Sequence, residues 1–178
     1  MEYVYFLAGL PRLELTDPPP LSSQQLLAAA DGVVRADHRE ELRAILEDRA
    51  GDVRHPEARR YLDLDTQLRN ALARLRARRA GAEYDARAHP HEGFEVGCET
   101  AAAQAAALAD PLAREQALDR FRWAALDALA TMPAFGLQAL FAYGFKLRLC
   151  EKWAAMDERR GLEVLDEVVG REVAGRVP

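Results

Sequence analysis

The sequence predicts an all-α protein, a bundle of about six to seven helices around one long buried helix near residues 134–158. Three observations carry that expectation. Residues 134–145 (AFGLQALFAYGF) hold no charge and point apolar side chains in every direction around a helix, as an interior helix does. Elsewhere apolar residues recur at spacings of three and four, the helical period. Finally, the chain shows no internal repeat, no low-complexity tract and no sustained alternating strand pattern. At 178 residues it has the length of a single domain with a real core, in two helical halves, 1–80 and 98–178, joined by a loop at 81–97.

Taken in order, Tyr3 to Leu10 is a short aromatic and aliphatic run, stopped by Gly9 and Pro11, that fits either a strand or a short buried helix. Asp17-Pro18-Pro19-Pro20 must be extended, because each proline restricts the residue before it. Ser22 or Ser23 then caps a helix over Gln24 to Ala30. The next helix spans about Ala36 to Ala50, turning Leu42, Ile45 and Leu46 inward and closing at Gly51. His55-Pro56 opens the longest early helix, ending near Ala80, with a stripe of Tyr61, Leu64, Leu68, Leu72 and Leu75. Arg74, Arg76, Arg78 and Arg79 crowd its far end. Basic groups there complement the helix dipole, the alternative being a binding patch.

Gly81 to Gly97 is the one long irregular stretch. Cys98 to Ala109 is alanine-rich and predicts a close-packing helix. Asp110-Pro111 supplies a cap and a first-turn proline for a helix to about Thr131, burying Leu118, Phe121, Ala125 and Leu129. Met132-Pro133 breaks it, and the long buried helix follows. In its second half Leu147, Leu149, Cys150, Trp153, Ala154 and Met156 share one face, and Arg148, Glu151, Lys152 and Glu158 the other. Lys146 falls on the apolar face, so it must snorkel outward or find a carboxylate, Asp65 or Asp127. The functional alternative is a desolvated lysine acting as base or nucleophile. A last amphipathic helix is expected over Leu162 to Val173.

Net charge −5 and a pI near 5.5 leave no overall electrostatic footprint for nucleic acid or anionic lipid. Two distant cysteines, Cys98 and Cys150, form neither a disulfide framework nor a zinc knuckle and suit a reducing cytoplasm. Glu2 stands where a signal peptide needs positive charge, and the run after it is too short for one.

The candidate chemistry is thin. His89, His91, Glu92, Glu95 and Cys98 lie close in sequence, but their spacing matches no standard zinc pattern, and solvated loop histidines are the simpler reading. No nucleophilic triad and no glycine-rich phosphate cradle is present. Carboxylate pairs such as Asp63 with Asp65 are what charged helix faces produce routinely. The expectation is therefore no enzyme, no catalytic residue, no metal and no cofactor.

Two stretches carry a resemblance. LDLDTQLRNALARLRARRAG, Leu62 to Gly81, resembles a helix of the C-type subunit of V-type and archaeal-type ATPases, the d-type subunit in eukaryotes, at Asn70, Arg76, Arg78 and Gly81. Gln67 occupies the position usually acidic there. LFAYGFKLRLCEKWAAMDERRG resembles the matching late helix, at Ala142-Tyr143, Lys146-Leu147 and Glu151, with Trp153 beside them. With the opening YVYFLAGLPRL, the second stretch is also similar to a bacterial family of unknown function encoded among V-type ATPase subunits. The resemblance implies a non-catalytic coupling part. Its partners would be the rotor stalk and the proteolipid ring of an ATPase moving protons or sodium ions. It would bind no nucleic acid and sit in the cytoplasm, peripheral at the inner face of the membrane and not inserted. Such a part would be shorter than a full C-type subunit. The competing expectation is a stand-alone helical binding module or assembly chaperone, with an apolar groove near Tyr3 to Leu10.

Overall fold

The structure, a computed structural model, describes residues 3–82, 84, 88–131 and 136–156. Within them are seven helices and no strand. These are α1 (Val4–Gly9), α2 (Ser23–Ala30), α3 (Ala36–Leu46), α4 (Pro56–Arg79), α5 (Val96–Ala107), α6 (Pro111–Ala130) and α7 (Leu137–Ala155). The all-α expectation holds. The expected break at Met132-Pro133 and the expected helix at 162–173 lie outside the described residues.

Local chemistry sets most of the ends. Ser22 caps α2 in a full capping box: its hydroxyl accepts from the Gln25 N–H, and the Gln25 side chain accepts from the Ser22 N–H. Asp110 caps α6 through both carboxylate oxygens, at 3.1 and 3.0 Å from the Leu112 and Ala113 N–H nitrogens. The start of α4 combines Pro56 in its first turn with a His55 ring that accepts from the Glu57 N–H. Its end is a Schellman turn: Gly81 takes φ +66°, and Gly81 and Ala82 donate back to the Arg78 and Ala77 carbonyls. Helix α3 departs from expectation. It stops at Leu46 rather than near Ala50, and Asp48, at φ +59°, takes the left-handed position expected of Gly51. Arg49 and Asp48 donate to the Ala44 and Ile45 carbonyls, so the closing turn forms earlier in the chain, on an aspartate that tolerates it.

The ambiguous N-terminal run is a short helix, not a strand, and it is not interior. Tyr5 is 95% exposed, while Phe6, Leu7 and Leu10 pack on the core.

Three apolar clusters fill the body. The first joins Tyr3 and Leu13 to α2, α3 and α7 through Leu26, Leu42, Leu140 and Leu147. The second stacks Ile45 of α3 and Tyr61 of α4 on Phe141 and Phe145 of α7, with ring centroids of Tyr61 and Phe145 4.5 Å apart. The third, away from α7, packs Leu68 and Ala71 of α4 against Cys98, Ala102 and Ala105 of α5 and Leu118 of α6. The buried alanines are what let α5 lie close to α4.

Helix α7 is the shared wall of the first two clusters, with Leu140, Phe141, Ala142, Gly144, Phe145, Leu147 and Cys150 buried. It packs on α2, α3, α4 and α6. Its expected inner face runs out early, since Ala154 and Met156 are exposed. The crossing with α3 is tight. A Cβ on Gly144 would stand 2.8 Å from Leu42 Cδ1 and 3.4 Å from Ile45 Cγ2, and both leucine and isoleucine are buried with nowhere to retreat. Gly144→Val should therefore overpack the crossing and cost about 1–3 kcal/mol. The readout is the urea unfolding midpoint; an unchanged midpoint would mean that α3 and α7 do not approach this closely.

Candidate functional site

The most elaborate arrangement of polar groups lies where α4, α6 and α7 meet. Asp119 of α6 is 0% exposed. A carboxylate in that position survives only if its oxygens are fully engaged, and three donors engage it. Arg122 Nη1 donates to Oδ1 at 2.7 Å, while Lys152 Nζ and Trp153 Nε1 both donate to Oδ2, at 2.7 and 2.9 Å. Arg122, 12% exposed, also reaches α4, its Nε donating to Asp65 Oδ1 at 2.7 Å. Asp65 in turn pairs with Arg69, and Lys152 with Glu115. One chain of alternating charge thus runs across three helices.

Burial by itself would lower the basicity of Arg122. The facing Asp65 and Asp119 outweigh that and hold its guanidinium above the ordinary value. Tyr61 beside it is pushed upward by burial and by the Asp65 charge. The network lines a cleft of about 500 Å³ that extends past Arg59, Asp63 and Arg148. Its cations and anions are mutually paired: Arg59 faces Asp63 at 3.7 Å and Arg148 faces Asp48 at 2.7 Å. The arrangement therefore fastens helices.

A second polar device holds the connection between α4 and α5. Two amides on α4, Gln67 and Asn70, are buried and turn toward that segment. Gln67 donates to the Glu95 carbonyl at 2.9 Å and accepts from the Glu95 N–H at 2.8 Å. Asn70 does the same with His89, at 2.8 and 3.1 Å, and accepts from the Tyr84 hydroxyl at 2.7 Å. Each amide imitates a backbone partner, with its own donor and acceptor both satisfied by the connecting segment.

The sequence-predicted residues sort as follows. Asn70 is this loop anchor. Gly81 closes α4, and Arg76 and Arg78 are exposed in its last turn, where their charge complements the helix dipole. Of the neighbouring arginines, Arg74 pairs with Glu99 and Arg79 donates to the Ala106 carbonyl at the end of α5. On α7, the Tyr143 hydroxyl donates to the Pro11 carbonyl at 2.9 Å. Lys146 chooses Asp127, at 2.5 Å, over Asp65, and lies 4.7 Å above the Trp123 ring. The Lys146 side chain is itself only 15% exposed, and its Asp127 partner, 59% exposed, brings the pair to the edge of the bundle. Glu151 accepts from both the N–H and the hydroxyl of Ser23, each at 2.7 Å, placing an anion at the start of α2. Trp153 serves Asp119. Sequence reasoning missed Asp119, Arg122 and Gln67; the only available signal was a charged or amide residue on an otherwise apolar helix face.

The histidine segment does not gather its candidates. Cys98 is buried with its thiol 3.6 Å from the Leu64 carbonyl, and the Glu95 backbone belongs to Gln67. Among the described residues no group of three or more His, Cys, Asp or Glu is placed to hold a metal ion. No described helix is long and apolar enough to cross a membrane.

Two outcomes test this arrangement. Asp119→Ala leaves the Trp153 N–H and parts of Arg122 and Lys152 unpaired, and should cost about 3 kcal/mol, whereas Lys146→Met should cost no more than about 1 kcal/mol. Equal shifts of the urea midpoint for the two variants would contradict the contrast. The thiols provide the pH test. Burial, helped by nearby carboxylates, pushes Cys98 and Cys150 up to about 11 from an ordinary 9.0. A raised acid favours the folded protein while protonated, so this stabilisation is present below pH 9.0 and lost as pH rises toward about 11. The urea midpoint should fall across that window, and less steeply in a Cys98→Ala, Cys150→Ala variant.

Comparison with known proteins gives one match. Residues 101–175 match the family described as "Protein of unknown function (DUF2764)", a stretch that includes α6 and α7 with Asp119, Arg122, Lys152 and Trp153. No curated protein and no solved structure matches the chain. Over that stretch the chain is similar to a family of unknown function.

Proposed function

We propose that the protein is a non-catalytic helical part that acts by being held between other proteins, and that its host is a V-type ATPase. In that role it is cytoplasmic, sits at the inner membrane face, and couples the central rotor stalk to the proteolipid ring during proton or sodium transport. The observation that carries the reading is the use made of α7. Tyr143, Lys146, Glu151 and Trp153, which bear or adjoin the resemblance, fasten that helix in turn to the Pro11 segment, to α6, to the start of α2 and to Asp119. A part that transmits torque must resist shear between its helices. Apolar packing alone opposes separation better than sliding, whereas directional charge-assisted bonds oppose both. The cross-linked α4–α6–α7 junction is suited to that load.

The second reading is a stand-alone binding module or assembly chaperone. It is favoured by a groove of about 490 Å³ between α4 and α6, with Leu64, Phe121, Ala125 and Leu129 in its lining, rather than near Tyr3 to Leu10.

Affinity capture of the full chain from native membranes in mild detergent separates the two. A coupling part should recover stalk and ring subunits together, in constant ratio to the intact ATPase. Recovery only with incomplete complexes would favour the chaperone, and absence of every ATPase subunit would rule out the proposed host.

A further inference from the structure

The end of the bundle where α4, α5 and α7 finish and α6 begins carries an inference that does not depend on the ATPase reading. Three sets of contacts gather those termini. Arg79, in the last turn of α4, donates to the Ala106 carbonyl in the last turn of α5. Arg114, in the first turn of α6, donates to the Leu108 and Ala109 carbonyls just past α5. Lys152, near the end of α7, donates to Glu115 and Asp119 of α6, while Lys146 meets Asp127 further along. The two helices therefore run antiparallel, and Met156, one turn past Lys152, stands level with the first turn of α6.

This end is both apolar and positive. Leu108 is 39%, Leu112 53% and Met156 49% exposed. Four arginines at the same end have no carboxylate partner among the described residues. Arg76 and Arg78 are exposed and make no hydrogen bond or ion pair, and Arg79 and Arg114 are engaged only by carbonyls. The nearby acids are already in use: Glu99 holds Arg74, Glu115 holds Lys152, and Asp110 caps α6. In a chain of net charge −5, an uncovered apolar surface ringed by unanswered arginines is an exception.

The chain leaves this end at Met156, and the segment that follows, residues 157–178, lies outside the described residues. Its sequence complements the surface. At 100° per residue, Leu162, Leu165, Val169 and Val173 fall within about 80° of one another, with Asp166 at one edge of that stripe and Glu172 at the other. From Leu162 to Val173, Glu163, Asp166, Glu167 and Glu172 stand against Arg171 alone. The link Asp157-Glu158-Arg159-Arg160-Gly161 is balanced in charge, ends in a glycine and can reach about 17 Å. A helix over 162–173 would be about 18 Å long. That is enough to turn back and cross two packed helices, whose axes lie about 8–10 Å apart.

We propose that residues 162–173 fold back over this end as an amphipathic helix, covering Leu108, Leu112 and Met156 and setting Asp166 and Glu172 against the free arginines. A segment tethered by so short a link is present at an effective concentration on the order of millimolar, which favours it over an acidic segment of another protein. The arginine-rich end is then filled by the chain itself and is not an open anion-binding surface.

Hydrogen exchange of the full chain, read by mass spectrometry over a dilution series, tests the proposal. The expected result is exchange at 162–173 at least about tenfold slower than the rate of an unstructured chain, at every concentration. Leu112→Ser should raise that exchange about tenfold, through lost apolar cover. Arg76→Glu with Arg78→Glu should raise it about fivefold, and adding Asp166→Arg and Glu172→Arg should restore it. The substituted positions on the bundle are exposed, so exchange within α7 should stay unchanged. Exchange at 162–173 at the unstructured rate overturns the proposal, and so does protection indifferent to Leu112→Ser and to the arginine reversals. Protection that grows with concentration overturns it as well, since the segment would then lie on a second copy. Loss of protection throughout α7 in Leu112→Ser would also overturn it, by making Leu112 part of the core. None of these results bears on capture of ATPase subunits, so the two readings fail separately.

Discussion

Asp119 is a full negative charge with no access to water, and the rest of the molecule is arranged so that it can exist there. Taking a carboxylate out of water costs several kcal/mol, and only a complete set of donors in good geometry offsets it. Those donors come from α6 itself and from the last turns of α7, and one of them, Arg122, is braced in turn by Asp65 of α4. Sliding α7 by a turn along α6 would take the Lys152 and Trp153 donors from Asp119, and sliding α4 would take Asp65 from Arg122. The network therefore adds less to stability than to register, which packed leucines and alanines leave loosely specified.

Register matters because α7 is the common wall of two apolar clusters. With Asp119 setting its position along α6, Gly144 faces Leu42, and the Phe141 and Phe145 rings reach His55 and Tyr61. The same positioning brings Glu151 to the first turn of α2 and the Cys150 thiol to the Glu14 carbonyl. The N-terminal segments are thereby tied to α7 by polar contacts at both ends of a largely apolar seam. On the other side, Gln67 and Asn70 tie down the α4–α5 connection at Glu95 and His89. The proposed mechanical stiffness thus follows from polar fastenings on α4, α6 and α7.

Much of this was legible locally. The capping serine of α2, the aspartate and proline of α6, the glycine after α4 and the uncharged stretch of α7 each act within a turn of their own position, so their signals survive in a linear reading. The misses share one cause. Asp48 took the left-handed turn expected of Gly51, and there its carboxylate meets Arg148 of α7, a partner distant in sequence. Lys146, by contrast, pairs with Asp127, one of the two carboxylates expected for it, while Arg122 holds the other, Asp65. Asp119, Arg122 and Gln67 look in sequence like ordinary polar positions on amphipathic helices.

By itself, then, the amino-acid order determined that this chain is helical, roughly where its helices begin and end, and that α7 lies inside. Helical period, capping and proline restriction are short-range effects, decided over a few residues by sterics and hydrogen bonding. Which carboxylate is buried, which arginine answers it and which apolar side chains are left facing outward were decided only in three dimensions. Electrostatic and packing energies depend on distance in space, and α4, α6 and α7 are brought together from positions tens of residues apart.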